Sequence, residues 1–390
     1  MTLTRRRCAI VALLVTCGST RVSAQHRFGA VDAAVREGIS RGTYPGAVVV
    51  IGRADTILYA KGYGRFTWSR TSRTPDPGTT LWDLASLSKI VGTASAMAVL
   101  VGDQRLDLDA PVPQYLPEFV GVGKDHVTVR MLLNHTSGLP AYAPLYRSPT
   151  SDSAVARLLS IPLTRAVGAR PIYSDLNAML AGLVVERISG QSLDTFARTA
   201  VFAPLGMHAT TYRLAAADQL RAAPTSRVRG RSVAGVVNDE NARRLDGVAG
   251  HAGIFSTGMD IARFAQSWLR VTALSAPWVN ASTLISFFER TPESGARALG
   301  WDTPEPRDDG SPSVFGRCAT ESTFGHTGWT GTEVWLDREQ DLFVVFLTNR
   351  SYAPRAPAAS FTRLRNTRAK VSDAARRAMG GCEGGRPTAG

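Results

Sequence analysis

The stretch LWDLASLSKIVGTASAMAVLV, residues 81–101, decides how the rest of the chain is interpreted. From about Ser86 to Val101 it is rich in Ala, Met, Leu and Val on all sides, which predicts a helix buried in a large core. Ser86 and Lys89 stand three residues apart near its start, so their side chains share a face. A partly desolvated lysine can help a serine hydroxyl to lose its proton, and the helix N-terminus can hold an oxyanion. The pair alone is a weak signal, since a solvent-facing lysine would give the same spacing.

Two further motifs carry groups suited to the same chemistry. Tyr173-Ser174-Asp175 follows an extended Pro171-Ile172 step and opens a predicted helix, so the Tyr173 phenol can point into a cleft. A tyrosine whose pKa is lowered by nearby cations can act as a general base. Gly325-His326-Thr327-Gly328-Trp329 stands immediately before a predicted strand, where two glycines allow close backbone approach and N–H groups could hold an oxyanion. Singly, these motifs also fit an ordinary tyrosine and a glycine-rich hairpin turn.

Taken in chain order, Ser-x-x-Lys, Tyr-x-Asp and His-Thr-Gly resemble the motifs of the serine β-lactamase and penicillin-binding-protein superfamily. The chain looks most like the branch of class C β-lactamases, D-alanyl-D-alanine carboxypeptidases and their esterase relatives. Three further stretches are typical of that branch, namely residues 132–140 (LLNHTSGLP), 204–207 (PLGM) and 247–253 (GVAGHAG). The resemblance covers nearly all of the chain after its first segment, and it implies an enzyme, a serine hydrolase.

The resemblance implies a role for each residue at a matching position. Ser86 would be the nucleophile that is acylated, with Lys89 as its proton partner. Tyr173 would be the base in acylation and would activate water in deacylation. The backbone N–H groups of Ser86 and Trp329 would form the oxyanion hole. The residues that would meet the substrate are Asp175, His326, Thr327 and Gly328.

Two positions depart from the β-lactamase pattern. His326 stands where β-lactamases carry Lys, and Asp175 stands where Asn is usual. A lysine there holds the carboxylate of a β-lactam or peptide, whereas a histidine is mostly neutral at pH 7 and Asp175 would oppose a carboxylate. We therefore expect ester or peptide hydrolysis. The alternative enzymes are a class C type β-lactamase and a D-alanyl-D-alanine carboxypeptidase. The alternative that is not an enzyme is a penicillin-binding or peptidoglycan-sensing domain.

The remaining polar candidates are secondary. His251, between two glycines, could reach the cleft, whereas His135 is expected to be structural at a helix end. Residues 239–241 (DEN) could indicate a metal, but no His, Cys or Asp spacing matches a zinc site. We expect neither a metal nor a cofactor.

The predicted elements place a helical block between two β-hairpins. The first hairpin is expected at residues 47–51 and 56–60, after a helix from Ala30 to Ile39, and the second at 333–336 and 342–347. A basic amphipathic helix is expected around residues 363–377, with its charged face in solvent. The other predicted helices cover residues 86–101, 130–133, 175–188, 193–200 and 260–271. This order predicts an α+β fold, with an antiparallel sheet built from both chain ends, flanked by helices, and a mostly helical insert at roughly 105–290.

The first 24 residues have the pattern of an export signal. Arg5-Arg6-Arg7 precedes an apolar run from Cys8 to Val15, and Val22-Ser23-Ala24 is a small-x-small cleavage site. We therefore expect a periplasmic or secreted protein, with a hydrolase domain over residues 25–380 and a flexible tail at 381–390. Thr16 is larger than the residue usually found before an acylated cysteine, which disfavours lipid anchoring at Cys17. No later segment reaches the ~20 residues that span a bilayer.

Composition limits the partners. The 390 residues carry a net charge of +13, with 41 Arg but only 4 Lys, and loss of the export signal would leave +9. The arginines are mostly scattered and lack the interleaved aromatic residues that stack on nucleic-acid bases. We expect a small-molecule or peptide ester or amide as substrate, and no nucleic acid; the oligomeric state stays open. Cys318 and Cys382, which remain after cleavage, could pair in an oxidising compartment or stay as thiols.

Overall fold

The computed structural model describes residues 27–270, 278–305, 312–355 and 357–382. The predicted export signal and Cys17 lie outside the described residues, as do residues 383–390 of the predicted tail.

The strands and helices are named here in chain order. The strands are β1 (Gly46–Gly52), β2 (Ile57–Gly64), β3 (Trp82–Asp83), β4 (Ser226–Val228), β5 (Arg231–Val233), β6 (Phe255–Ser256), β7 (Thr323–Thr327), β8 (Glu333–Asp337) and β9 (Leu342–Thr348). The helices are α1 (Gly29–Ser40), α2 (Ser95–Gly102), α3 (Val112–Tyr115), α4 (Val129–Leu133), α5 (Ser151–Ser160), α6 (Asp175–Ser189), α7 (Leu193–Ala197), α8 (Ala216–Gln219), α9 (Glu240–Arg244), α10 (Gly258–Leu269), α11 (Ala281–Ser286) and α12 (Pro357–Ala378).

The central sheet is antiparallel and has the strand order β2-β1-β9-β8-β7. Its middle is formed by opposite ends of the chain, because β1 pairs with β9 in the register Val49↔Phe346. Successive side chains of β1 point to opposite faces of the sheet. Val48 and Val50 therefore join the core beneath the helical insert, whereas Ala47, Val49 and Ile51 join the core beneath α1 and α12. The predicted α+β fold is confirmed.

Five strands escaped the sequence prediction, namely β3, β4, β5, β6 and β7. His326 and Thr327 lie inside β7, which pairs with β8 along its whole length, so the third motif is itself part of a strand before its turn. The sequence TFGHT contains a single apolar residue and therefore gives no period-two signal. The strands and helices that were predicted agree with the structure to within a few residues, except that α12 begins at Pro357, β2 continues to Gly64 and α7 gives way to a π-helix at Arg198–Phe202. The helices α3, α5, α8, α9 and α11 were not predicted.

The helix predicted from Ser86 begins irregularly. A 3-10 turn at Ala85–Leu87 is followed by a π-helix at Lys89–Ala94 and then by α2. Among the described residues, Ala85–Gly102 is the one helical segment long and apolar enough to cross a membrane, with a mean hydropathy of 1.4 over 18 residues. The segment is 18 residues long, short of the ~20 residues that span a bilayer, so the expectation that no later segment reaches that length stays a prediction. Of this window, 83% is buried inside the protein, as in a core helix.

The C-terminal helix α12 is not simply solvated on its basic side. Arg368 and Arg376 are both buried, which corrects the predicted solvent-facing basic surface. Arg376 donates to the carbonyl oxygen of Phe315 at 2.6 Å and lies 3.5 Å from the carboxylate of Asp337 in β8. These two guanidiniums therefore anchor α12 to the sheet.

A disulfide joins Cys318 to Cys382, across 64 residues of sequence. The sequence had left this pairing open. Just before it, the amide of Gly381 donates to the carbonyl of Arg376 at 3.0 Å. The first two residues of the predicted tail are therefore tethered to the end of α12.

Glu333 is a buried acid between β8 and α12. It is fully buried, and burial raises the pKa of its carboxyl to about 8, although Arg368 and Arg376 act in the opposite direction. The folded protein therefore keeps a proton on Glu333 at pH values where the unfolded chain, with an ordinary value of 4.5, has lost it. The contribution of Glu333 to the free energy of unfolding is therefore fully present below about pH 4.5 and is lost as the pH rises through about 8.

We expect Glu333→Gln to remove part of the fall in stability between pH 5 and pH 9, because the amide keeps the shape of the protonated acid and cannot ionise. The variant should match the wild type at pH 5 and exceed it at pH 9 by roughly 1–3 kcal/mol in the free energy of unfolding. Urea denaturation at pH 5, 7 and 9 measures this difference. Parallel pH profiles for the two proteins would show that Glu333 does not titrate in this range.

Candidate active site

Ser86 follows a strained backbone turn that is held from two sides. Ala85 has a φ of +46°, which is rare for a residue with a Cβ. The Asp83 carboxylate accepts the amides of Ala85 at 2.9 Å and Asn238 at 2.6 Å. From the turn between β7 and β8, the hydroxyl of Thr332 donates to the carbonyl of Leu84 at 2.8 Å. Such strain persists only where the surroundings enforce it, and here it fixes the position of Ser86.

The structure brings Ser86 and Lys89 together as the sequence spacing predicts. The Lys89 Nζ donates to Ser86 Oγ at 3.0 Å and to the carbonyl of His251 at 3.2 Å, and it lies 2.7 Å from Asp175 Oδ1. Its side chain is only 4% exposed. Lys89 therefore connects the nucleophile, the second motif and the 247–253 loop.

The protonation states differ from the sequence interpretation. Burial disfavours the charge on Lys89, but Asp175 and Tyr173 outweigh it and raise the pKa of the ammonium above its ordinary value. For Tyr173, burial raises the pKa of the phenol even though Lys89 acts to lower it. Lys89 is thus a cation and Tyr173 a neutral phenol at pH 7. The sequence interpretation had a desolvated lysine that assists deprotonation and a tyrosine of lowered pKa. In the resting protein, Lys89 is instead charged and the pKa of Tyr173 is raised.

Tyr173 is fixed by a shell of aromatic and cationic groups. Its ring centroid lies 4.9 Å from that of His135 and 5.8 Å from that of His326. The Lys89 Nζ lies 4.9 Å from the ring centroid, and the guanidinium carbon of Arg297 lies 5.1 Å from it. Cations over the ring are attracted by its negative face. The phenol is therefore held beside Lys89 in one orientation.

His135 supports the second motif from behind. It lies just past the end of α4, as predicted, with a φ of +64°. Its Nδ1 accepts the amide of Ser174 at 3.2 Å, and burial holds the pKa of the ring well below its usual range. The neutral imidazole thereby fixes the backbone next to Tyr173 and Asp175.

Asp175 was predicted to contact the substrate, and its carboxylate lines the cavity but forms an ion pair with Lys89. Burial acts to raise the pKa of Asp175, but Lys89 and His251 overcome it and hold the pKa below its ordinary value. The negative charge that was expected to repel a substrate carboxylate is therefore largely matched by Lys89.

The third motif closes against the Ser86 turn. A Cβ added at Gly328 would lie 2.5 Å from the carbonyl oxygen of Leu84, so only glycine allows this approach. Trp329 follows with an exposed side chain, and its amide has no hydrogen-bond partner among the described residues. The Trp329 N–H is thus free to act beside Ser86.

His326 is buried in β7 and neutral. Its Nδ1 contacts the carbonyl oxygen of Thr327 at 2.9 Å, and because a carbonyl can only accept, Nδ1 carries the proton. Burial lowers the pKa of His326 to about 4, although Asp302 acts in the opposite direction. His326 therefore presents no positive charge at neutral pH, unlike a lysine at this position.

His251 reaches the same cavity and pairs with Asp239. Its Nε2 lies 2.9 Å from Asp239 Oδ1. Burial acts to raise the pKa of the Asp239 carboxyl, but the interaction with His251 outweighs burial and lowers that pKa. The sequence placed these two residues in separate motifs. Within the described residues there is no group of His, Cys, Asp and Glu side chains arranged to hold a metal ion.

A cavity of about 1090 Å³ joins these groups. The sequence analysis missed Arg297 and Asp302, which line the cavity beside His326 and form an ion pair with each other. Neither belongs to a motif, and one arginine among 41 gives no signal. Apolar side chains also line the cavity, from the β4–β5 hairpin and the residues after it, from the turn between β7 and β8 and from α12, namely Val228, Val233, Val236, Trp329 and Phe361.

Comparison with known proteins identifies the architecture. The family model described as beta-lactamase matches residues 31–367. The chain belongs to the beta-lactamase family. Within that family it is 32% identical to the N-acetylmuramyl-L-alanine amidase of Bacillus subtilis (strain 168) over 363 residues, which covers 83% of this chain and 81% of the relative. It is 30% identical to a putative D-alanyl-D-alanine carboxypeptidase of Escherichia coli (strain K12) over 352 residues, 80% of each chain.

The solved structures agree on the fold. A class C beta-lactamase superposes with a TM-score of 0.71 at 20% identity, over 93% of this chain and 98% of the other. The resemblance inferred from the three motifs is thereby confirmed, and this member of the beta-lactamase family is a serine hydrolase.

Proposed function

We propose that this protein is an exported hydrolase that cleaves esters or amides through an acyl-enzyme on Ser86, and that it does not require a carboxylate on its substrate. The observation that carries the proposal is the Ser86–Lys89–Tyr173 cluster at a cavity whose wall presents the neutral His326. The relatives named amidase and D-alanyl-D-alanine carboxypeptidase support an amide or peptide substrate.

Tyr173 would move the proton without ionising first. As Ser86 Oγ attacks the substrate carbonyl carbon, its proton moves to the phenol oxygen of Tyr173 in the same step in which the phenol's own proton moves to the leaving oxygen or nitrogen. The phenol therefore never carries two protons, and the bond to the leaving group breaks as that group is protonated. The Lys89 cation stabilises negative charge that builds on Oγ and on the phenol during the transfer. Water then attacks the acyl-enzyme, losing its proton through Tyr173 back to Ser86, which restores the free enzyme.

The charges around the cavity argue against an anionic substrate. Among the described lining residues, both guanidiniums are paired with carboxylates, Arg297 with Asp302 and Arg243 with Glu240. The two further carboxylates of the lining, Asp175 and Asp239, occupy Lys89 and His251 in the same way. No unpaired cation of this lining is therefore available for the carboxylate of a β-lactam or of a peptide C-terminus.

A matched pair of substrates tests the proposal directly. N-acetyl-D-alanyl-D-alanine and its methyl ester share one amide bond, and cleavage of that bond is followed as release of D-alanine or D-alanine methyl ester, separately from release of methanol. We expect the esterified compound, and a simple p-nitrophenyl ester, to be turned over faster than the free acid. Clear preference for the free acid would favour a carboxypeptidase.

Covalent labelling separates catalysis from binding. A fluorophosphonate probe should label Ser86, and mapping by mass spectrometry locates the label, whereas fluorescent penicillin should label poorly. Stable labelling by both reagents without ester turnover would favour a penicillin-binding module. No label on Ser86 from either reagent would contradict the acyl-enzyme. Export predicts a mature protein that begins near Gln25, which N-terminal sequencing of the secreted or periplasmic protein can check.

We expect His326→Lys to shift the preference towards carboxylate-bearing substrates. A charged ammonium at this wall would supply the attraction that the neutral imidazole lacks, worth about 1–2 kcal/mol in a partly buried site. The ratio of nitrocefin turnover to p-nitrophenyl ester turnover should rise about 5–30-fold. His326→Gln, which stays neutral, is the control and should leave the ratio near that of the wild type. An unchanged ratio in the lysine variant would show that charge at residue 326 does not set the selectivity.

A further inference from the structure

The turn between β7 and β8 is held by arginines from other parts of the chain. Arg368, on α12, donates through Nη2 to the carbonyl of Gly328 at 3.0 Å and to the carbonyl of Thr332 at 2.7 Å. Arg350, just after β9, donates through Nε to the carbonyl of Trp329 at 3.1 Å. Within the turn, the amide of Gly331 also donates to the Gly328 carbonyl, at 3.1 Å.

The Gly328 carbonyl and the Trp329 N–H belong to one peptide group. In a trans peptide these two bonds point in opposite directions, and the described residues contain no cis peptide. A group that binds the carbonyl on one side therefore sets where the N–H points on the other. The Trp329 N–H therefore points away from Arg368, and the neighbouring Gly328 is packed against Leu84 and Ala85, the two residues before Ser86.

We propose that Arg368 is a positioning residue for the oxyanion hole, acting through the Gly328–Trp329 peptide. This inference rests on the proposed acyl-enzyme function, because it assigns a task to the Trp329 N–H in that reaction. Arg368 does not line the cavity and touches no substrate. It fixes the direction of the N–H and, as a cation bound to the carbonyl oxygen, polarises the peptide so that the N–H donates more strongly.

The surroundings of Arg368 fit this role better than a role in stability alone. Its guanidinium is 1% exposed, so the carbonyls of Gly328 and Thr332 are bound without competition from bulk water. Its Nε has no hydrogen-bond partner among the described residues, so the head group's contacts are concentrated on the turn. A purely structural arginine at this depth is seen in Arg376, eight residues later, which binds Phe315 and Thr323 instead.

The test uses Arg368→Met, with Arg376→Met as the matched control. Both variants remove a buried guanidinium from α12, and only the first releases the Gly328 carbonyl. We expect kcat for ester hydrolysis to fall about 10–50-fold in Arg368→Met with little change in KM, because an oxyanion-hole donor acts on the transition state. Arg376→Met should lose thermal stability but keep kcat within about threefold. Arg368→Lys, which keeps a cation and is the milder change, should lie between Arg368→Met and the wild type.

A spectroscopic readout separates positioning from folding. Labelling with ¹³C-carbonyl glycine and ¹⁵N-tryptophan selects the Gly-Trp peptides, which are Gly328–Trp329 and Gly300–Trp301. In the free protein, the Trp329 amide resonance should move in Arg368→Met and Arg368→Lys, whereas the Trp301 resonance serves as an internal reference. In the acyl-enzyme, the ¹³C-labelled ester carbonyl should absorb at higher wavenumber in both Arg368 variants than in the wild type.

The outcomes are distinct for the two proposals. An unmoved Trp329 resonance in both Arg368 variants would overturn the positioning role, whether or not the protein forms an acyl-enzyme. Equal losses of kcat in Arg368→Met and Arg376→Met would do the same. Failure of the wild type to acylate at Ser86 would instead overturn the proposed function, and the amide resonance would still show whether Arg368 holds the peptide.

Discussion

Replacing Ser86 with alanine is expected to abolish turnover. The change removes the only atom that forms the covalent bond in the proposed mechanism, while the oxyanion-hole amides and the cavity remain. We expect kcat for ester hydrolysis to fall at least about a thousandfold, with fluorophosphonate labelling lost entirely. Thermal stability should be nearly unchanged, since the hydroxyl accepts one bond from Lys89 at the edge of the cavity.

Ser88→Ala is the matched control for this experiment. Its hydroxyl lies two residues away, is buried, and accepts the amide of Ile254 at 3.1 Å instead of facing Lys89. This variant should lose about 1 kcal/mol of stability but keep turnover within a few-fold of the wild type. Residual turnover in Ser86→Ala that equals that of Ser88→Ala would contradict nucleophilic catalysis at Ser86.

Replacing Lys89 with methionine is expected to impair both activity and folding. The cation that stabilises charge on Ser86 Oγ and Tyr173 is lost, so turnover should fall at least about a hundredfold. The Asp175 carboxylate is left without its ion-pair partner in a mostly buried position. Breaking such a pair costs about 3–5 kcal/mol when it is fully buried, and because Asp175 is 23% exposed we expect about 2–4 kcal/mol here.

The double variant Lys89→Met/Asp175→Asn distinguishes the two effects. Removing the stranded carboxylate should return much of the lost stability, measured by urea denaturation, because no unpaired charge remains. Turnover should stay as low as in Lys89→Met, because the cation is still absent. Recovery of turnover together with stability would show that Lys89 serves the fold and has no part in the reaction.

The sequence predicted the fold and the nucleophile pair for local reasons. Short runs of β-branched and other apolar residues indicated β1 and β9, and a longer stretch that is apolar on all sides indicated the buried helix. The three-residue spacing brought Ser86 next to Lys89. These features depend on residues close in sequence. Burial of a lysine was not by itself diagnostic, because Lys124 is also buried and donates to the carbonyl of Leu159 at 2.6 Å.

The remaining parts of the site depend on contacts between distant residues. Arg297 approaches Tyr173 across more than a hundred residues, and Arg368 reaches the Gly328 carbonyl from the last helix. No spacing rule relates such pairs. The protonation states of Lys89 and Tyr173 follow from burial and from the placement of Asp175, which only the three-dimensional structure supplies.

The pairing of β1 with β9 also limits the order in which the chain can fold. Residues near position 49 find their partners near position 346, so the middle of the sheet cannot form on the ribosome until almost the whole chain has been made. Pairings of such high contact order are slow, and until then the apolar edge of β1 is open to chaperones or to aggregation. We expect C-terminal truncation before residue 348 to yield no stable fragment, because β1 would lack its partner strand.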